Sequence, residues 1–272
     1  MGHHSPAALR LVAGHTPEST LEAFVSRAIA DPGVVGLILS GSQVHEDMST
    51  AYSDYDVHVV VQDSVTSPLS ALDGFRSAHL DLVVMTLDEF RRRGLPGDSH
   101  GWYHYAYVHA KVLFDRLDGT ISELLTAKRT PTPAEARTAV DGYLDAYVNQ
   151  AYRSLKSHRD GRAEQAHLDA AESIPYALEA IFALHQRVRP YNKFLQWELE
   201  RHPLGDGEWS AGQLLPTIRR ILSDGAPDTQ RSLFTSIERA ARDAGHDQVL
   251  DSWGDSLDLL RRQTLTPPRG TA

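Results

Sequence analysis

Two prolines within the stretch from Lys128 to Pro133 divide the chain into halves that favour different secondary structure. Before this break, short runs of β-branched and other apolar residues alternate with helical patterns, as in a small α/β domain. After it, the signals are helical almost to the end, and glycines separate successive helices. We therefore predict an α/β (α+β) domain with a short mixed sheet over residues 1–128 and an all-α helical bundle over residues 129–263. Residues 264–272 are polar and are predicted to be disordered.

Local patterns place the individual elements of both halves. Four strands are predicted, at Val34–Leu39, Asp56–Val61, Leu80–Met85 and Val112–Phe114. Helices are predicted at Thr20–Ala30, opened by Ser19 with Glu22, at Thr86–Arg93, opened by Thr86 with Glu89, and from Pro133, opened by Thr132 with Glu135. The second half is predicted to hold helices near 133–157, 163–187, 191–201, 210–223, 227–243 and 246–262. Pro175 predicts a kink or a break in the second of these.

Charge and composition exclude several classes of protein. The 272 residues contain no cysteine, which rules out disulfides, thiolate metal ligands and a thiol nucleophile. The net charge is −9, and residues 1–125 carry 16 acidic against 8 basic side chains, so we expect no nucleic-acid partner. No apolar run approaches the ~18 residues of a membrane helix, and Met1–His4 does not open a signal peptide, so we expect a cytoplasmic location. We expect a monomer or a dimer.

A set of carboxylates follows the first predicted strand. Gly41 and Ser42 end that strand, and Asp54 and Asp56 lead the next one. Alternation along a strand puts these two carboxylates on one face, where a cation such as Mg²⁺ would offset their repulsion. A glycine turn lets backbone N–H groups approach a phosphate. Asp81 stands alone in an apolar strand and needs a partner, a proton or a metal; an arginine or a turn would also satisfy it.

In order and in type, these residues resemble the nucleotidyltransferase superfamily whose core is similar to DNA polymerase β. The resemblance implies that Gly41 and Ser42 hold the phosphates of a nucleotide, and that Asp54 and Asp56 bind Mg²⁺. It also implies that Asp81, on a neighbouring strand, is the third carboxylate, which shares the metal or accepts a proton. The segment Leu113–Arg116 is similar to the end of the domain in small members of the superfamily.

The second half resembles the aminoglycoside (streptomycin/spectinomycin) adenylyltransferases over Tyr176–Trp197. By this resemblance Lys193 is a ligand of the triphosphate. Arg189 and Arg153 are further candidates for the same role, and Glu172 is a reserve general base on an acidic stripe with Asp169 and Glu179. Each of these charges could equally belong to an ordinary solvated helix face.

Other side chains of the first half are candidates for supporting roles. His45 and His58 lie near the carboxylates in sequence. The aromatic residues Trp102, Tyr103, Tyr105 and Tyr107 are candidates to stack a base or sugar, although such clusters are more often part of a core.

Together the resemblances imply a magnesium-dependent nucleotidyltransferase that moves a nucleoside monophosphate, with ATP the expected donor, to a hydroxyl of a small molecule. An aminoglycoside-like polycation would suit the acidic first half and would connect the protein with antibiotic resistance. A lincosamide or a natural-product intermediate stays open as the acceptor. Two other functions also stay open: a protein AMPylator of a toxin–antitoxin type pair, and a nucleotide-binding regulator without turnover.

Overall fold

Buried apolar side chains form separate cores on the two sides of the Thr130–Pro131 bond. The structure is a computed structural model, and it describes residues 16–205 and 207–261. It divides into two units, of which the first ends at Thr130 and the second begins at Pro131. The predicted disordered tail, residues 264–272, lies outside the described residues.

The first unit contains a four-stranded mixed sheet with helices on both faces. Its elements in chain order are α1 (Pro17–Ala30), β1 (Val34–Ser40), β2 (Tyr55–Val61), β3 (Leu80–Thr86), α2 (Leu87–Arg92), α3 (His104–Val108), β4 (Lys111–Asp115) and α4 (Thr120–Lys128). The strand order is β3-β2-β1-β4, and β2 pairs with β3 in parallel while β1 pairs antiparallel with β2 and β4. The predicted short mixed sheet is therefore confirmed.

Side-chain alternation separates the two faces of this sheet. Val57 and Val59 of β2 belong to the core that also contains Phe24 of α1. Val60 belongs to the opposite core, together with Phe90 of α2. Because successive strand residues point to opposite faces, Asp56 and His58 project to the same side as Val60. We call this side the α2–α4 face, since α2, α3 and α4 contribute its covering residues.

Several boundaries of the first unit differ from the prediction by one to three residues, and two of them matter for the caps and the site. Helix α1 begins at Pro17 rather than Thr20, because Thr16 and Ser19 form a capping box and Pro17 occupies the first turn. Strand β2 begins at Tyr55, so Asp54 precedes the strand. The predicted capping box of Thr86 with Glu89 is confirmed at the start of α2.

The second unit is all-helical, as predicted. Its helices are α5 (Pro133–Arg159), α6 (Ala163–Leu184), α7 (Leu195–Arg201), α8 (Ala211–Asp224), α9 (Pro227–Asp243), α10 (Asp247–Asp251) and α11 (Leu257–Arg261). Leu144 and Tyr147 of α5 pack in one core with Phe182 of α6 and Phe234 of α9. The predicted box of Thr132 with Glu135 opens α5.

The structure corrects the predictions at Pro175 and near residues 246–262. Of the kink or break predicted at Pro175, the break does not occur: α6 runs from Ala163 to Leu184, and Ile174, Ala177 and Leu178 are buried in the core. The single helix expected near 246–262 is instead α10, a short 3₁₀ turn at Gly254–Ser256 and α11. Gly254 has a φ of +50°, which is incompatible with a continuous right-handed helix. Within the described ranges, no helix combines the length and the apolar character needed to cross a bilayer.

Candidate functional site

Strand register brings three polar residues side by side on the α2–α4 face. Ser40, the last residue of β1, pairs with Asp56 near the start of β2. Asp56 pairs in turn with Asp81 near the start of β3. Neighbouring strands of a sheet lie about 4.7–4.9 Å apart. The sheet therefore places the predicted Asp56 and Asp81 next to each other. Asp54 is the last residue before β2, which begins at Tyr55.

The turn after β1 is shaped around the Asp56 carboxylate. Gly41 opens a 3₁₀ turn, Gly41–Val44, with a φ of +73°. A Cβ atom at Gly41 would lie 1.9 Å from Asp56 Oδ2, which is a severe clash. Only glycine can therefore adopt this backbone conformation beside this carboxylate. The predicted residue Gly41 is thus brought against Asp56, and Ser42 follows it in the same turn.

The pKa of the Asp81 carboxyl depends on its burial and on the neighbouring negative charge of Asp54. Burial and the charge of Asp54 raise the pKa of the Asp81 carboxyl. Two contacts act in the lowering direction: Ser77 N–H donates to Oδ1 at 3.3 Å, and Arg76 Nε lies 3.7 Å from Oδ2. Their effect is smaller, and the pKa stays raised. A cation bound between Asp54 and Asp81 would relieve this repulsion.

The predicted carboxylates are nevertheless not arranged as a closed metal cluster. Among the described residues, no three His, Cys, Asp or Glu side chains form a group that could hold a metal ion by themselves. Asp56 lies against Gly41, and Asp81 is held by Ser77 and Arg76. Mg²⁺ is usually bound by one or two carboxylates that share it with substrate phosphates and water. Asp56 and Asp81 could supply the one or two carboxylates of such a shared site.

A buried histidine lies behind Ser40, and only its proximity in sequence had suggested a role. His58 is 2% exposed, and its Nε2 lies 3.0 Å from Ser40 Oγ. Its ring packs against Tyr103 and Tyr107 of the α2–α4 face. Burial and, to a smaller extent, the charge of Arg93 lower the pKa of His58 to about 4. His58 is therefore neutral near pH 7, and alternation two residues after Asp56 was the signal that could have placed it here.

A second histidine contacts the turn itself. His45 Nδ1 lies 2.8 Å from the Gly41 carbonyl oxygen, and Nε2 lies 3.1 Å from the Tyr105 hydroxyl. The rings of His45 and Tyr105 are both close to His109. Of the predicted aromatic residues, Tyr105 and Tyr107 are buried, whereas Trp102 is exposed and packs against Tyr103, with the ring centres 3.9 Å apart.

In the second unit, two of the predicted phosphate ligands are paired with the predicted acidic stripe. Arg153 Nε lies 3.4 Å from Asp169 Oδ1, and Arg189 Nη1 lies 3.4 Å from Glu179 Oε1. Burial raises the pKa of the Glu179 carboxyl even though Arg189 acts to lower it. The sequence did not indicate these pairings.

The other two predicted residues of this unit are exposed. Lys193 lies in a 3₁₀ turn, and its Nζ is 5.2 Å from the centre of the Phe194 ring. Glu172 is exposed on α6. Neither side chain is neutralised by an ion pair within the described part of the chain.

Comparison with known proteins adds little to this geometry. No family model matches the chain, and no curated protein matches it. Among solved structures, the chain is similar to the crystal structure of a nucleotidyltransferase-like protein from Exiguobacterium sibiricum. The two are 11% identical, and the likeness covers 90% of this chain and 78% of that one with a TM-score of 0.43. A similarity this low does not transfer a function, so the residues of the site carry the functional argument.

Proposed function

We propose that the protein is a magnesium-dependent nucleotidyltransferase that transfers a nucleoside monophosphate, AMP from ATP in the first instance, to a hydroxyl group. One observation carries the proposal. The register Ser40–Asp56–Asp81 aligns two carboxylates beside a glycine turn that is shaped around one of them. A phosphate-binding turn and a pair of metal-binding carboxylates are the parts that this chemistry requires.

Asp54, Asp56 and Asp81 are the residues that would hold magnesium. Two features of the structure favour a cation there: burial and the charge of Asp54 raise the pKa of Asp81, and the Asp56 carboxylate lies beside the turn. When bound, magnesium would neutralise the triphosphate and polarise the α-phosphate.

The chain's own groups would then align and deprotonate the acceptor. The acceptor oxygen attacks the α-phosphorus, the bond to the pyrophosphate oxygen breaks, and the acceptor proton passes to a general base. Asp81 is the first candidate for that base in the case where it does not itself hold magnesium, because the sheet places it beside Asp56. Glu172 is the reserve candidate.

Lys193, Arg189 and Arg153 are proposed as cations for the triphosphate. Lys193 is the first choice, because Arg153 and Arg189 already face Asp169 and Glu179 and would have to exchange partners. An ammonium that is not already neutralised can meet a phosphate at the lowest cost in lost interactions.

We propose a small, cationic acceptor, such as an aminoglycoside-like antibiotic. The support is the excess of acidic side chains in residues 1–125. A regulator that binds nucleotide without turnover is the second candidate. It is favoured by the contacts of Asp81 with Arg76 and Ser77, which occupy the proposed base.

A pyrophosphate-release screen tests the proposal. ATP, GTP, CTP and UTP are offered with Mg²⁺ against a panel of hydroxyl-bearing antibiotics. We expect release with at least one pair, and a loss of at least ~100-fold in Asp54→Asn, the scale of removing a transition-state electrostatic contact. Asp118→Asn is the matched control, because Asp118 is an exposed aspartate of the same unit with a φ of +50° that asparagine tolerates.

The outcomes separate the candidates. An Asp54→Asn variant as active as Asp118→Asn would refute the metal-site assignment. Binding of ATP with no pyrophosphate release for any small acceptor would favour the regulator. Release that appears only when a protein acceptor is added would favour the AMPylator.

A further inference from the structure

We infer that His45 is a positioning residue that fixes the Gly41–Val44 turn, and that Tyr105 holds His45 in the required state. His45 follows the turn directly and folds back onto its first carbonyl, at 2.8 Å from Nδ1. Tyr105 belongs to α3 and reaches the other ring nitrogen at 3.1 Å. The phosphate-binding part of this inference rests on the proposed function.

The direction of the two hydrogen bonds follows from their partners. The Gly41 carbonyl oxygen can only accept, so Nδ1 of His45 carries the hydrogen. In the neutral ring, Nε2 is then the acceptor, and the Tyr105 hydroxyl donates to it. A donor at position 105 thus selects the tautomer that can hold the turn.

Fixing the Gly41 carbonyl also fixes the next N–H group. In a trans peptide the carbonyl of Gly41 and the N–H of Ser42 point in opposite directions. His45 draws the carbonyl to its own side, so the Ser42 N–H is directed away from His45. The Cα of Gly41 meanwhile abuts the Asp56 carboxylate. One side chain therefore sets the orientation of the turn's first peptide beside a proposed metal ligand.

Packing makes this arrangement stiff. His45 is 6% exposed and Tyr105 is 2% exposed. The His109 ring meets His45 edge-on at 5.2 Å and Tyr105 at 5.9 Å. Side chains restrained in this way contribute preorganisation, because little conformational freedom remains to be lost when a ligand binds.

Two substitutions of His45 separate the two hydrogen bonds. The amide nitrogen of asparagine takes the place of Nδ1, so His45→Asn keeps the donor to Gly41. Glutamine reaches the place of Nε2, so His45→Gln keeps the contact with Tyr105 and loses the one with Gly41. Tyr105→Phe removes only the hydroxyl. It is a conservative second variant that tests the same hydrogen bonds if a substitution of His45 prevents folding. Far-UV circular dichroism and thermal unfolding identify any variant that does not fold.

Amide hydrogen exchange of residues 42–44 is the first readout, because it needs no nucleotide. One lost hydrogen bond is worth ~1 kcal/mol, so we expect roughly fivefold faster exchange in His45→Gln. We expect near wild-type exchange in His45→Asn, and an intermediate rate in Tyr105→Phe. Equal exchange in His45→Asn and His45→Gln, or no change in His45→Gln, would overturn the inference.

Binding of Mg²⁺–ATP is the second readout. We expect the Kd to rise by a similar factor in His45→Gln and to stay near wild type in His45→Asn. An unchanged Kd in a His45→Gln variant whose turn exchanges faster would overturn the link between the turn and the phosphates. A wild-type protein that binds no ATP would overturn the proposed function, while the order of the exchange rates would still decide the role of His45.

Discussion

The absence of a side chain at Gly41 makes room for the Asp56 carboxylate. The residue combines a left-handed backbone with a neighbour that a methyl group would strike at 1.9 Å. Gly74 has nearly the same φ, +72°, but an added methyl group there would meet nothing within 4 Å. A comparison of substitutions at Gly41 and Gly74 therefore distinguishes the cost of backbone strain from the cost of displacing the carboxylate.

We predict that Gly41→Ala destabilises the protein by clearly more than Gly74→Ala. Backbone strain costs about 1–2 kcal/mol at either position, and the displaced carboxylate adds to it only at Gly41. Urea unfolding of the two variants gives the difference directly. Equal midpoints would mean that Asp56 moves away at no cost, contrary to the arrangement described.

His58 makes the stability of the first unit depend on pH. Its pKa is about 4 in the folded protein and about 6.5 when unfolded, so only the unfolded state takes up a proton between these values. Stability is therefore expected to fall as the pH drops from 6.5 to 4, by up to about 3 kcal/mol. We predict a shallower dependence in His58→Gln, measured as urea midpoints across this range. Parallel curves for wild type and variant would show that His58 does not titrate this way.

At the scale of residues, the sequence predicts which side chains belong to the site better than it predicts their contacts. Alternation along β2 would have been enough to place Asp56 and His58 on one face, although only proximity in sequence was used for His58. The contact of His58 with Ser40 depends on the register between β1 and β2, and the ion pair of Asp81 depends on Arg76 lying close to β3. Neither relation is encoded within one element.

At the scale of elements, features set by neighbouring residues were predicted correctly, whereas features that depend on tertiary packing were not. The capping boxes at Thr86 and Thr132 were predicted correctly, because a cap involves residues only three apart. At α1 two serine or threonine residues compete within one turn, and the earlier one, Thr16, is the cap. Helix α6 survives Pro175 because its core contacts outweigh one lost hydrogen bond.

Lys128 is the clearest departure from the sequence-based expectation. It was placed at the start of the break between the halves, yet it ends α4 and is 1% exposed. Its Nζ donates to the carbonyl oxygens of Arg91 and Arg93 at the end of α2, both at 3.0 Å. Burial lowers the pKa of Lys128 to about 8. Nothing in the sequence around Lys128 had indicated that this lysine caps the C-terminal end of α2.

We predict that Lys128→Met destabilises the first unit by ~1–3 kcal/mol, since methionine fills the space but leaves the carbonyls of Arg91 and Arg93 without their donor. Lys111→Met, on an exposed position of β4, is the control and should stay within about 0.5 kcal/mol of wild type. Chemical denaturation measures both changes. A Lys128→Met variant as stable as the control would exclude the capping role.

At the scale of the whole molecule, the two units have separate cores. Of the core clusters, one lies entirely in the second unit and two in the first. The change from strand-rich to helix-only patterns predicted a small mixed sheet followed by helices, and the structure contains both. The pairing of Arg153 and Arg189 with acidic residues was not predictable, because it depends on how separate segments of the second unit pack.

We predict that residues 131–272 fold alone into a helical protein with one cooperative unfolding transition. The segment includes the complete capping box of Thr132 and Glu135, and its core needs no residue of the first unit. Circular dichroism during urea unfolding tests this. A fragment beginning at Ala136 lacks the box and should be less stable by ~0.5–2 kcal/mol. A non-cooperative profile for residues 131–272 would contradict the prediction.

Because β2 pairs with β3 in parallel, we expect the carboxylate pair to form late in folding. Strands β1 and β2 are antiparallel neighbours joined by the loop from Gly41 to Asp54, whereas β3 must return through the longer crossover 62–79. Contacts that close longer loops form more slowly. A refolding chain would therefore carry Gly41 beside Asp56 before Asp81 joins them. Ligand-binding capacity would then be regained after the β1–β2 hairpin, and would report completion of the sheet rather than collapse of the chain.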